Sequence, residues 1–434
     1  MTNPSNWFDP EDFKRFMDEF LANQEGLDPE QLAQLAGLAN NPEQLQQFID
    51  QMKNAMNNRG TATGVDWNLV REQAVKQVRA DAKSISEADR KAVTDACSIA
   101  NLWLDEATDF ESLHTEPKLI GRELWVDEAM PLFKQLAGPI ADRMSDALTR
   151  NLVENSPEEL SSVIESAAGL MRSAGGAMFS MQLGQSLGKT AAEVWGSGDL
   201  GIPLFQESRA AFVVQNISEQ LSELDVKQSE VQIYLAVREL AHARLFKNAR
   251  WLRDLVVNQI VQYSQDLSID NDRIQDLANE LDPSQLEKWQ DALQGTSLIA
   301  EPTESQARAL ASIENTLALI EGWVEVVTAR ACRLLPGVVA IEEYVRRRRA
   351  TGGPAERTFG QLIGLELKPR RLREAANFWR VVSEQLTVAE RDAIWSHPDL
   401  MPAGSDIDDP AGYLARRKGS GPDDFDQALK DLLG

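Results

Sequence analysis

Residues 229–246, Ser-Glu-Val-Gln-Ile-Tyr-Leu-Ala-Val-Arg-Glu-Leu-Ala-His-Ala-Arg-Leu-Phe, constrain the fold more than any other stretch of the chain. Val231, Tyr234, Leu235, Arg238, His242 and Leu245 fall on one stripe about 100° wide at a 3.6-residue period. Ile233, Val237 and Leu240 line the other side. A helix that is apolar nearly all round is a buried one, so the pattern predicts a central helix with Arg238 and His242 inside the protein. Ser229, with Gln232 three residues later, reads as its capping box. A buried arginine requires a carboxylate partner, because an unpaired interior charge costs several kcal/mol.

Within this helix, Arg238-Glu239-x-x-His242 has the spacing of HExxH. In that motif two histidines at i and i+4 hold Zn²⁺ from one helix face and the glutamate acts as general base. Here the first histidine is replaced by Arg238. A guanidinium stays protonated at ordinary pH and has no lone pair for a metal. Glu239 is then the candidate base and His242 a candidate ligand, beside a position that cannot ligate.

A carboxylate partner is available downstream. Residues 306–335 read as a long helix stopped by Pro336-Gly337. Glu321 and Glu325, at i and i+4, share one face of it, next to a strip formed by Leu317, Ile320, Val324, Val327 and Ala331. Paired carboxylates in an apolar setting need a metal, a proton or a cation. Arg238 is the cation expected to reach Glu321, with Glu325 or Glu239 as further acceptors.

These segments, together with residues 353–375, resemble a family of bacterial zincin-like hydrolases, labelled zinc-dependent metalloproteases and sometimes associated with deazaflavin-cofactor biosynthesis. The resemblance runs from about Val65 onward. It implies a predominantly α fold with a minor β element, in which a small sheet lies beside the HExxH-like helix. It also implies that Glu321 is the glutamate ligand, Glu325 the acid that orients a histidine, Glu239 the general base and His242 a ligand. The missing ligand falls at Arg238, which leaves two protein ligands where catalytic zinc sites use three.

The rest of the chain offers few replacements. His114 and His397 are the only other histidines, and both sit in turn-like segments. Cys97 and Cys332 lie far apart in apolar helical patterns, as buried free cysteines do. Arg346 to Arg349 read as the solvated C-terminal end of a helix, where cations suit the dipole. Residues 174–188 carry Gly176, Ser180, Gly184 and Gly188 at four-residue spacing, the mark of a close-packed core helix. Gly196 to Pro203 is a turn-rich loop, and residues 209–216 are the best strand candidate.

A net charge of −24 argues against nucleic acid and anionic membrane as partners, since both reward basic surfaces. No stretch is long and apolar enough to span a bilayer, and the N-terminus lacks the pattern of a secretory signal, so the expected location is the cytoplasm. Residues 1–64 read as an Asn/Gln-rich tail with short amphipathic pieces at 12–21 and 42–52 and a linker at 57–64. Residues 65–434 read as a zincin-like, mostly helical domain.

Three functional classes follow. One is a metallohydrolase relative whose site is degenerate and which works as a binding or scaffold protein for a protein or peptide, with no cofactor. The second is an active zinc hydrolase whose metal shell is incomplete or completed by a partner. The third is an interaction protein that acts through its tail.

Overall fold

The computed structural model describes residues 65–154, 161–203, 205, 209–222, 224–265, 303–350, 353 and 369–419. The tail pieces at 12–21 and 42–52, the linker at 57–64 and a helix start expected at Ser156 lie outside them. The chain forms two compact units. One comprises residues 1–67, 138–181 and 267–302, and the other 68–137, 182–266 and 303–434. In the first, Ser180 Oγ accepts from the Asp66 backbone N–H at 2.9 Å and donates to the Gly176 carbonyl at 2.6 Å.

The described elements run in the order α1 (Trp67–Arg79), α2 (Glu87–Ala107), β1 (Lys118–Leu119), α3 (Arg122–Glu154), α4 (Ser161–Glu193), β2 (Ala211–Phe212), α5 (Val214–Gln220), α6 (Gln228–Asn248), α7 (Arg250–Gln265), α8 (Glu304–Ala331), α9 (Val338–Ala350), α10 (Pro369–Gln385), α11 (Val388–Asp392), α12 (Gly404–Asp408) and α13 (Pro410–Gly419). The fold is therefore predominantly helical. Its sheet consists of β1 and β2, paired in parallel with Lys118 opposite Ala211 and Leu119 opposite Phe212. Phe212 also bridges in antiparallel fashion to Gly196. The strand expected over 209–216 shrinks to its centre, because Val214 onward turns into α5.

Helix α6 is buried without interruption from Tyr234 to Phe246, including Arg238, Glu239, His242 and Arg244. Its start differs from the expectation. The helix begins at Gln228 with Lys227 as an extended N-cap that makes no side-chain cap bond, so Ser229 already lies inside the first turn and forms no capping box. Glu230 instead accepts from the Gly337 N–H at 2.7 Å, which ties the start of α6 to the turn between α8 and α9. Three other helices do begin with reciprocal capping boxes, Ser86 with Asp89 on α2, Thr303 with Gln306 on α8 and Thr387 with Glu390 on α11.

Helix α8 is held from the C-terminal side at backbone range. A Cβ on Gly322 would stand 2.7 Å from the Ala375 carbonyl carbon and 2.8 Å from the Ala376 nitrogen, so only glycine lets α10 come this close. Trp379 donates to the Leu319 carbonyl at 2.8 Å. Trp323 donates to Asp392 at 2.9 Å, and the other Asp392 oxygen accepts from Thr108 Oγ1 and the Asp109 N–H. Buried Asp392 thus joins α8, the end of α2 and α11 through fully used lone pairs, which is how an interior carboxylate is tolerated. The small-residue stripe on α4 serves packing too: a Cβ on Gly184 would meet the Val70 carbonyl oxygen at 2.6 Å, so α1 lies on it almost backbone to backbone. Among the described residues no helix is long and apolar enough to cross a membrane.

Candidate functional site

In the second unit, α6, β2 and the loop 195–201 meet at one small pocket bordered by Trp195, Gly198, Asp199, Arg238, Glu239 and His242, and α8 and α9 reach its Arg238 and Asp199 through side-chain ion pairs. Arg238 and His242 lie one turn apart on α6, so both side chains leave the helix in the same direction. Arg238 Nη2 donates to Glu321 Oε2 at 2.6 Å, with both side chains about nine-tenths buried. His242 Nε2 stands 3.1 Å from Glu321 Oε1. Among the described residues neither ring nitrogen of His242 has an aligned hydrogen-bond partner, so the 3.1 Å contact is close without being aligned for a bond. Burial, and then the Arg238 charge, push the His242 pKa down to about 3. The imidazole is accordingly neutral and keeps a lone pair.

Glu239 points elsewhere. Its Oε1 accepts from the Ser197 N–H at 2.9 Å, the Ala211 N–H at 3.3 Å and the Ser197 hydroxyl, while Gly198 N–H reaches Oε2 at 3.1 Å. This carboxylate ties α6 to the loop and to β2. Burial raises its pKa above the usual carboxylate range, although the Ser197, Ala211 and Gly198 donors pull it back. Gly196 leaves no room for a side chain, and Gly198 is tightly packed. A Cβ on Gly196 would come within 2.5 Å of Glu239 Oε2, and one on Gly198 within 3.0 Å of the His242 side chain. Gly201, with φ of 70° in the left-handed region, then turns the loop past Glu321.

Glu325 does not join this group. It pairs with Arg346 at 3.6 Å and is a third exposed, so it does not orient His242. His114 and His397 are both exposed; His397 accepts from the Asp399 N–H at the start of a short 3₁₀ turn. Burial pushes the Cys97 and Cys332 thiols up to about 12, so neither supplies a thiolate at neutral pH.

The basic block departs from its expected solvated role. Arg347 does sit in solvent, paired with Glu343 at 2.8 Å. Arg348, in contrast, pairs with Asp199 at 2.9 Å and lies 3.8 Å over the Trp195 ring, and Arg349 pairs with Glu321. Burial alone would raise the Asp199 pKa, but the Arg348 charge and hydrogen bonds outweigh it and hold the carboxyl below the usual range. Arg348, Arg349, Asp199 and the loop glycines were missed as site residues from sequence. Three glycines within 196–201 were the available signal.

A family model described as zincin-like metallopeptidase matches residues 65–414, a span that includes every residue of this pocket. The chain belongs to the zincin-like metallopeptidase family. Membership places the chain in a family of metallohydrolases and agrees with the helix pair α6 and α8 at the centre of the site. A solved structure of similar fold, described as "a putative hydrolase with a novel fold", comes from Chloroflexus aurantiacus. It is 19% identical with a TM-score of 0.57, over 82% of this chain and 100% of the other. No curated protein sequence matches the chain.

Proposed function

We propose that this chain is a zincin-fold binding protein in which an arginine takes over the electrostatic role of the metal, and that it is not a zinc peptidase. The observation that carries this reading is the buried 2.6 Å pair between Arg238 and Glu321. A catalytic zinc site needs three protein ligands with lone pairs plus an open position for water. Position 238 offers no lone pair, and Glu321 Oε2 is already committed to guanidinium. Among the described residues no three His, Cys, Asp or Glu side chains gather as a metal site. The residues present therefore do not fit a three-ligand zinc site. Glu239, bonded to three backbone N–H groups, is also turned away from general-base duty.

The competing reading is a zinc hydrolase whose shell is completed by a partner or substrate. One observation favours it: neutral His242 and Glu321 are already 3.1 Å apart, as two donors to one ion would be. Elemental mass spectrometry on protein purified without added zinc, followed by zinc titration, separates the two. We expect zinc well below one equivalent and no calorimetric signal. Stoichiometric zinc, with chelator-sensitive peptide hydrolysis abolished by Glu239→Gln, would establish the hydrolase instead. The family chemistry leaves a protein or peptide as the ligand class for the cleft.

A further inference from the structure

Glu321 Oε2 is contacted by two guanidiniums, Arg238 from α6 and Arg349 from the last turn of α9. The residue before Arg349 is engaged as well. Arg348 pairs with Asp199 on the loop, donates to the Glu193 carbonyl at 2.8 Å and covers the Trp195 ring. Successive side chains on a helix diverge by about 100°. The two arginines thus hold separate anchors beside the pocket, Arg348 the loop residue Asp199 that borders it and Arg349 the Glu321 carboxylate that pairs with its Arg238. The first two arginines of the block behave differently: Arg346 and Arg347 are more than half exposed and pair within their own helix with Glu342 and Glu343, Arg346 also reaching Glu325 of α8 at its exposed edge. Besides its arginines, α9 is held by Tyr344, which stacks on Trp195 and donates to the Gln220 carbonyl at 2.9 Å, and by a short apolar strip. Ile341 and Val345 are buried, whereas Val339 is 75% exposed.

We infer that α9 is a latch on this pocket, and that Arg349 bars a divalent metal from Glu321 independently of Arg238. The inference rests on the reading above, in which guanidinium stands where a metal would. A separate observation points to a ligand under the latch. His242 is 3% exposed and borders the pocket, yet among the described residues neither ring nitrogen has an aligned hydrogen bond, Glu321 Oε1 lying 3.1 Å from Nε2 off-axis, and an unsatisfied buried polar group is costly. Restoring a histidine at 238 alone would leave Glu321 held by Arg349. Withdrawing both arginines frees the carboxylate beside two imidazoles, the three donors that a zinc site requires.

The test uses the full chain as wild type, Arg238→His, Arg349→Ala and the double variant, with Zn²⁺ as probe and a competing chelator to set free metal. Circular dichroism checks folding. We expect only the double variant to bind one equivalent tightly and to melt higher when zinc is added. Arg238→His alone should bind about 10–100-fold more weakly, the scale on which a neighbouring group alters a metal ligand. Equal affinity of Arg238→His and the double variant would overturn the latch while leaving the arginine-for-metal reading intact. Stoichiometric zinc in the wild type would overturn that reading itself. Should the double variant fold poorly, diethyl pyrocarbonate labelling read by mass spectrometry serves instead. His242 should be protected in the wild type and modified in Arg348→Ala/Arg349→Ala, and equal protection in both would sink the latch.

Discussion

Arg238 and Glu321, 83 residues apart in sequence, meet at 2.6 Å in a buried ion pair that links α6 to α8. The pair belongs to a cluster of three guanidiniums and two carboxylates. Arg349 shares the same carboxylate, and Arg348 neutralises Asp199 across the pocket. His242 sits among these charges as a neutral ring.

Breaking the pair from one side should be expensive. Arg238→Ala leaves Glu321 with only the less buried Arg349, and loss of a partner from a buried ion pair costs roughly 3–5 kcal/mol. Replacing both residues by apolar ones, as in Arg238→Met with Glu321→Leu, should recover much of that loss, because no uncompensated charge remains. Urea unfolding of the three proteins measures this directly. A single variant as stable as the wild type would show that the pair contributes little.

Gly196→Ala should loosen the loop. The new methyl would fall 2.5 Å from Glu239 Oε2 and 2.6 Å from the Ala211 carbonyl oxygen, so either the carboxylate or β2 has to move. Overpacking of this kind typically costs about 1–3 kcal/mol. Limited proteolysis should cut near residues 196–203 in the variant before the wild type is cut there. An unchanged digestion pattern would count against Glu239 as the anchor of the loop.

Acid should destabilise the fold through His242. Its folded pKa is depressed from 6.5 to about 3, first by burial and then by Arg238, with Glu239 and Asp199 opposing. Below the unfolded value the unfolded chain takes up a proton that the folded chain refuses. The stability present above pH 6.5 is therefore lost as pH falls toward 3, at up to about 1.4 kcal/mol per pH unit. Thermal melts between about pH 6.5 and 5, above the ordinary carboxylate range and with the raised Glu239 and Glu342 carboxyls common to both proteins, should fall more steeply for the wild type than for His242→Gln. Parallel slopes would contradict the assignment.

Gly322→Ala tests the helix contact behind the site. The added Cβ would lie 2.7 Å from one backbone carbon of α10 and 2.8 Å from the next nitrogen, and backbone cannot rotate aside as a side chain can. A loss of about 1–3 kcal/mol is expected despite the better helix propensity of alanine. Calorimetry showing a stabilised variant would mean that α8 and α10 separate readily.

What the sequence determined by itself was local or periodic. The burial of α6 followed from the apolar pattern, and α8 was legible from its periodicity, although it ends at Ala331, short of the Pro336-Gly337 stop. The meeting of Arg238 with Glu321 was legible too, because a buried cation and a buried carboxylate each need an opposite charge and few alternatives existed. Tertiary structure alone decided the rest. Glu239 is held by the N–H groups of Ser197, Gly198 and Ala211, and a backbone donor is the same in every residue except proline, so no residue type announces it. Arg348 and Arg349 look like Arg346 and Arg347 in sequence, and only the docking of α9 turns two of the four inward. Even the missing capping box at Ser229 has this origin: the bond from Gly337 engages Glu230, and the helix starts one residue before Ser229. Periodicity reports which face of an element avoids water, whereas the partner of a buried charge depends on which distant elements share that face.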